Sequence, residues 1–312
     1  MTLEVKNLSV SYGDFDVLKE VSFHLDNGQL IGLVAPNGTG KTTLFNAIMR
    51  FIPIRFGQIF VDEKEYTASD QDVLDLHQQI TFFPDQADLF ENFTGREHIE
   101  MYAEIWEGRE ADVGEIIDRL EMASYVDRKV QEYSLGMRQR LCFAMMVAAD
   151  TPIMFMDEVM NGLDPENVSL VSDVLIELRE ADKIVIIASH LLDNLDEYAD
   201  KVFFLKEKEL HRVNDLNKKL PLFYKVVARD EQVKALEKGN YLTKETIQLS
   251  NQVLCIPVDG LSKEQDRALF DQLRALEVER IEIAPLGTSE YYSHIYGLRI
   301  HSFNREAEAD AT

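Results

Sequence analysis

The stretch Leu30-Ile31-Gly32-Leu33-Val34-Ala35-Pro36-Asn37-Gly38-Thr39-Gly40-Lys41-Thr42-Thr43 decides the fold. Leu30 to Val34 reads as a buried strand, Pro36 to Gly40 as a glycine-bearing turn, and Lys41 to Arg50 as a helix. Strand, loop and helix in that order are the context a phosphate-binding loop requires, where successive backbone N–H groups and the positive end of a helix can surround anionic oxygens. In such a loop Lys41 neutralises the β- and γ-phosphates of a nucleotide. Thr42 sets its hydroxyl on Mg²⁺, and Thr43 bonds nearer the α-phosphate. The first glycine of the usual pattern is Ala35 here, whose methyl is the smallest possible intrusion. An ordinary βα turn has no reason to carry Lys and Thr in register behind Gly40.

Two further apolar runs repeat the strand signal. Ile153-Met154-Phe155-Met156 ends in Asp157-Glu158, and Ile184 to Ala188 ends in Ser189-His190. Short, fully apolar strands alternating with helices predict a covered parallel sheet whose ligands sit at the carboxyl ends of the strands. An Asp-Glu pair alone would be a solvated loop start. Behind a buried strand, and downstream of a phosphate loop, Asp157 is placed to hold the Mg²⁺ shell and Glu158 to face an attacking water.

Upstream, Leu3 to Val10 and Val17 to Leu25 alternate apolar and polar residues around Gly13-Asp14, which predicts two antiparallel strands. Thr94 to Gln131 is charged at helical spacing and predicts a helical insertion over about 90–135. The polar stretch from Lys206 to Lys219 reads as a terminal hairpin running into a linker, set at 214–222. Beyond it, strands at Phe223–Val227, Thr246–Leu249, Val253–Val258 and Arg280–Ile283 alternate with helices at Glu231–Lys238 and Lys263–Leu276. This βαββαβ order predicts a small α+β, ferredoxin-like domain over 223–300, followed by an acidic tail at 301–312.

The chain has 312 residues, 46% of them hydrophobic and 28% charged, enough for about two domains by the usual length prior. Its formal charge of −24 opposes binding to phosphate backbones and anionic membrane surfaces. No apolar run approaches the roughly 20 residues of a membrane span, and the N-terminus does not read as a signal peptide, so a cytoplasmic chain is expected. Cys142 and Cys255 lack metal-like spacing and read as buried thiols. His24, His77, His98, His211, His294 and His301 read as structural.

Together these residues resemble the nucleotide-binding subunit of an ATP-binding cassette (ABC) transporter, over roughly residues 1–213. The resemblance implies an α/β fold of the P-loop NTPase class: a mixed-sheet core, an antiparallel β subdomain and a helical insertion. In Val10-Ser11-Tyr12-Gly13, Tyr12 matches the aromatic that stacks on adenine. Tyr133-Ser134-Leu135-Gly136-Met137-Arg138-Gln139-Arg140 matches the family signature, with Leu135 and Met137 replacing the commoner Gly and Gln, a variant similar to that of bacterial drug and bacteriocin exporters. Ser134 and the Gly136 N–H would then meet the γ-phosphate held by a second subunit. Asn161-Gly162-Leu163-Asp164-Pro165 matches the loop that crosses the dimer interface, organised by Asp164. His190 occupies the place of the γ-phosphate sensor. In Phe82-Phe83-Pro84-Asp85-Gln86-Ala87-Asp88-Leu89-Phe90, spacing puts Asp85 where the family has a glutamine, with Gln86 one residue late. Both are candidates to reach Mg²⁺ through water.

The resemblance implies an ATPase that closes as a dimer around two ATP molecules and drives separate transmembrane chains at the inner face of the cell membrane, in the export direction. The alternative is a nucleotide-binding regulatory module with little or no hydrolysis. An ABC ATPase acting on DNA or ribosomes is disfavoured, since the chain has one motif set, no long heptad insertion and a charge of −24.

Overall fold

The computed structural model describes residues 1–106, 112–189, 192–215, 220–249 and 252–297, arranged as two compact units, Met1–Arg212 and Val213–Thr312. The first unit begins with β1 (Thr2–Tyr12), β2 (Phe15–Asp26) and β3 (Gln29–Val34), followed by α1 (Lys41–Ile48). Next come β4 (Phe56–Val61), β5 (Lys64–Glu65), α2 (Asp70–His77) and β6 (Ile80–Phe82). The helical insertion holds α3 (Gly95–Ile105) and α4 (Val113–Arg119), and α5 (Leu135–Ala149) leads back to the sheet. Then follow β7 (Ile153–Asp157), α6 (Pro165–Glu180), β8 (Ile184–Ala188), α7 (Leu192–Tyr198), β9 (Lys201–Lys206) and β10 (Glu209–Asp215), whose last three residues fall past the unit's end at Arg212.

Two sheets build this unit. β2-β1-β4-β5 is antiparallel, and its half-buried strands show the alternation expected of residues 3–10 and 17–25. The second sheet has the order β10-β9-β3-β8-β7-β6, with β9, β3, β8, β7 and β6 parallel to one another. Every residue of β8 is buried, as are the first four of β7, which is why both read as unbroken apolar runs. β9 and β10 form the expected hairpin around Glu207 and Lys208, both at positive φ. β10 continues to Asp215 and the next strand begins at Leu222, so strands take residues from both ends of the segment expected as a linker.

A ring cluster fixes α1 on the parallel sheet. Phe45 stacks on Phe155 with centroids 4.9 Å apart and meets Phe82 edge-on at 5.9 Å. Both Phe45 and Phe155 are fully buried. Asp200 ties β9 to β3: its carboxylate accepts the Leu30 N–H at 2.8 Å, and its own N–H donates to the Leu30 carbonyl at 2.7 Å.

The second unit contains β11 (Leu222–Val227), α8 (Asp230–Lys238), β12 (Ile247–Gln248), β13 (Val253–Pro257), α9 (Lys263–Ala275), β14 (Arg280–Pro285) and α10 (Thr288–Tyr296). Its sheet is antiparallel with the order β12-β13-β11-β14, the split βαβ arrangement expected of a ferredoxin-like domain. Tyr224, Val226, Leu254 and Ile256 pack with Val233, Leu236, Leu269 and Leu273 of α8 and α9. Phe223, Val253, Cys255 and Leu286 form a separate cluster with Tyr291 of α10. Lys225 of β11 and Glu290 of α10 make a buried ion pair at 2.8 Å, and the other Glu290 oxygen accepts the Gly287 N–H at 2.7 Å.

Charge is divided unevenly. Residues 1–212 hold 40 of the 56 Asp and Glu but only 19 of the 32 Lys and Arg, which leaves the second unit close to neutral.

Phe45→Ala is expected to destabilise the first unit by about 3–5 kcal/mol, the range for truncating a fully buried aromatic. The urea midpoint of that unit's unfolding measures it.

Candidate functional site

Gly38 and Gly40 adopt φ of +78° and +111°, conformations that L side chains rarely take. At Gly40 even a Cβ would come within 2.9 Å of the Val17 side chain, so α1 can enter this turn only on glycine. Ala35 does not have the left-handed backbone, and its methyl is buried, which explains how the loop tolerates the missing first glycine. Thr39 Oγ1 donates to the Pro36 carbonyl at 2.7 Å and closes the loop on itself. Lys41 is 7% exposed, and its ammonium donates to the Ala35 carbonyl at 2.8 Å. The loop therefore holds a buried cation, steadied by the Ala35 carbonyl.

Opposite the loop, β7 delivers Asp157 and Glu158. Thr42 Oγ1 donates to Asp157 Oδ2 at 2.6 Å, so a hydroxyl and a carboxylate oxygen converge at one point. Such an oxygen pair suits Mg²⁺, which takes one or two protein oxygens and completes its shell with phosphate and water. Glu158 is held at φ +56°. That conformation costs a non-glycine residue about 1–2 kcal/mol. The surroundings over-determine it: the Glu158 N–H donates to Ala188 O at 2.9 Å, and its carbonyl accepts from Gln139 Nε2 and Asn161 N–H, each at 3.0 Å.

Two adjoining cavities collect most of the predicted residues. The smaller, about 440 Å³, is lined by Asn37, Gly38, Gly40, Lys41, Thr42, Thr43, Asp157 and Glu158, with Val17 at its wall. The larger, about 970 Å³, shares Thr42, Asp157 and Glu158 and adds Asp85, Gln86 and Gln139. The two candidates in the glutamine-type loop behave differently. Asp85 turns its carboxylate onto the Ala87 N–H at 2.9 Å, whereas the Gln86 amide donates to Gln139 Oε1. Gln139 also donates to the Val159 carbonyl at 2.8 Å, so one buried amide links Gln86 to the turn that carries Glu158. Gln139 lies in the signature stretch, but sequence reasoning does not single it out as a site residue, because it stands between Arg138 and Arg140 and no change of residue type marks its burial.

Ser134, Gly136, Asp164 and Tyr12 line neither cavity. Ser134 caps α5, accepting the Met137 N–H at 3.3 Å, with the exposed Leu135 beside it and Gly136 following. Asp164 caps α6, accepting the Asn167 N–H at 2.9 Å, with Pro165 at the first helical position. Tyr12, 56% exposed at the end of β1, stands opposite Phe15 across the Gly13-Asp14 turn. His190 lies outside the described residues. Of the histidines expected to be structural, His98 is buried, accepting the Phe90 N–H through Nε2 at 3.0 Å while Nδ1 contacts the Thr94 carbonyl at 2.7 Å. Burial pushes the Cys142 and Cys255 thiols up to about 12, where they remain protonated.

A phosphate loop on a parallel sheet, with a hydroxyl and a carboxylate converging beside it, defines a nucleotide-binding unit of the P-loop class. The ABC transporter family profile matches residues 18–161. An uncharacterized ABC transporter ATP-binding protein of Bacillus subtilis, YdbJ, is 28% identical over 287 residues, spanning 91% of each chain. A fluoroquinolones export ATP-binding protein of Mycobacterium tuberculosis is 24% identical over 283 residues, 91% of this chain and 88% of that one. Among solved structures, the dimeric ATP-binding cassette MJ0796, bound to ADP and Pi after hydrolysis, superposes with a TM-score of 0.62. It is 22% identical and covers 70% of this chain and all of that one. Residues 18–161 are an ABC transporter domain, so the first unit is an ABC cassette, an ATPase that binds ATP, and over most of its length the chain is similar to ABC transporter ATP-binding proteins. Both relatives match beyond residue 212, so their similarity extends into the second unit.

Gln139→Leu is expected to lower kcat about tenfold to a hundredfold with little change in KM, because it leaves Lys41 intact and frees the Glu158 turn by a fraction of an ångström. Steady-state ATPase kinetics, read as a KM-against-kcat split, check this.

Proposed function

We propose that this chain is the ATP-hydrolysing subunit of a membrane exporter, acting as a pair of copies that share two ATP molecules and drive separate transmembrane chains. The observation that carries the reading is a division within one chain. Lys41, Thr42, Asp157 and Glu158 gather at one cavity, whereas Ser134, Gly136 and Asp164 lie outside it at exposed or half-exposed helix starts. A residue set split in this way makes sense if each cavity is completed by the helix start of a second copy, where backbone N–H groups favour the γ-phosphate.

In this reading Lys41 and the loop amides bind the phosphates and Tyr12 supports the base. Glu158 orients the attacking water and accepts its proton, while His190 contacts the γ-phosphate. Thr42 and Asp157 would hold Mg²⁺, with Asp85 or Gln86 reaching it through water, and the ion would neutralise charge developing on the transferred phosphoryl group. Loss of the γ-phosphate removes the link between the two copies, and the pair opens.

Separate transmembrane chains are proposed because, among the described residues, no helix is long and apolar enough to cross a membrane. The peripheral position at the inner membrane face follows from that partnership. The export direction draws on the fluoroquinolones export relative and the Tyr133 to Met137 variant.

Two inactive variants test the shared site. Lys41→Ala should lose ATP binding, and Ser134→Arg should keep ATP affinity while losing turnover. Mixing them should restore part of the ATPase activity, since the loop of the Ser134→Arg copy meets the intact Ser134 of the Lys41→Ala copy. No recovery in the mixture, with both variants folded and able to exchange, would sink the shared-site reading. Glu158→Gln should bind ATP normally and turn over about a hundredfold or more slowly. A wild-type chain without turnover beside its membrane partners would instead favour the regulatory alternative.

A further inference from the structure

We propose that the second unit pairs with a second copy of this chain, edge to edge, through β14. The inference does not depend on the nucleotide site.

β14 ends the order β12-β13-β11-β14 and, among the described residues, pairs only with β11. On the far side of β11, the Ala228 N–H donates to Gln252 O and the Val258 N–H to Leu222 O, so the even-numbered residues there turn their backbone groups toward β13. By the alternation of an antiparallel ladder, Phe223, Lys225 and Val227 face β14 and engage Ala284, Glu282 and Arg280. The N–H and C=O of Ile281 and Ile283 are then left pointing outward, a template for another strand.

The side chains beside this edge are self-complementary. Arg280 and Glu282 project on one face, 3.3 Å apart. In a two-fold antiparallel pairing centred on Ile281, Ile281 meets its own copy and Arg280 meets Glu282 of the partner subunit, while the Glu279 N–H turns back to the Val227 carbonyl at 3.2 Å and ends the free edge there. The axis makes the last contact twice, at a position where opposite side chains come closest. Centring one residue later sets Glu282 against its own copy, so charge selects the register. Charged edges ordinarily discourage strand pairing. These two charges, opposite in sign and symmetric about Ile281, permit one partner and one register.

An apolar strip runs along the other face. Ile283 is 51% exposed and Phe270 of α9 is 38% exposed. Phe270 contacts the ring of Tyr224, the β11 residue opposite Ile283. A two-fold axis perpendicular to the joined sheet keeps both α9 helices on one side and covers these residues from each copy. The near neutrality of this unit removes the long-range repulsion that two copies of the acidic first unit would feel.

The test is the mass of the full-length chain in nucleotide-free solution, by sedimentation or light scattering, expected at twice 35.8 kDa. Ile283→Asp, at an exposed position, and Arg280→Glu should each weaken the dimer about tenfold or more, since every change counts twice across the axis. Arg280→Glu combined with Glu282→Arg should restore it. Circular dichroism separates loss of pairing from loss of fold. For the register, oxidising a mixture of Arg280→Cys and Glu282→Cys chains should give a disulfide-linked mixed dimer in excess of either variant alone, since the two introduced thiols then face each other while the other Arg–Glu contact is kept, and the buried Cys142 and Cys255 do not compete. A monomeric wild type, or a dimer indifferent to Ile283→Asp and Arg280→Glu, overturns the proposal. A dimer that forms only with Mg-ATP and survives both substitutions also overturns it, while leaving the nucleotide-site reading intact.

Discussion

The packing of Phe45 against Phe155 is the contact on which the chemistry depends. One ring belongs to the helix that leaves the phosphate loop, the other to the strand that delivers the carboxylates, and the rings lie 4.9 Å apart in a buried stack. That contact sets the height of α1 over β7. With it in place, a hydrogen bond of 2.6 Å joins Thr42 to Asp157 across 115 residues of sequence. Close-packed interiors transmit displacement rather than absorb it, so a shift at Phe45 becomes a shift at the oxygens that would hold a metal.

The strained turn at Glu158 is supported in the same way, by polar contacts instead of rings. Its amide is held by the end of β8, and its carbonyl by the side chain of Gln139 and the amide of Asn161. Because Gln139 also accepts from Gln86, the loop after β6 and the turn after β7 share one side chain. A displacement of that loop thus has a direct physical route to Glu158, with no long chain of intermediates to invoke.

Much of this was legible in the sequence, for particular reasons. The β3, β7 and β8 strands are covered on both faces and read as continuous apolar runs, and the phosphate loop needs glycine where its backbone turns left-handed. The segment from Phe56 to Phe82 gave weaker signals, because β4 alternates, β5 has two exposed residues and α2 buries little beyond Leu76. The α10 helix escaped notice for the opposite reason: Thr288, Ser289, Glu290 and Ser293 are buried, so its inward residues are polar. Glu290 is held there by Lys225 of β11, a partner distant in sequence that no periodicity can announce. Ser134 and Asp164 stand at the helix starts their sequence implies. A single chain shows only their capping, since the phosphate they are proposed to meet belongs to another copy.

The uneven division of charge gives the proposed ATPase cycle a built-in spring. Closing two first units means bringing surfaces with 40 acidic and 19 basic residues each to within a Debye length, about 8 Å at physiological ionic strength. Beyond that distance salt hides the repulsion; inside it, the repulsion grows steeply. Bound nucleotide must hold the halves together against this force, and once hydrolysis cuts the link, the same force drives them apart. Product release would then draw on Coulombic energy stored during closure, and added salt would slacken the spring.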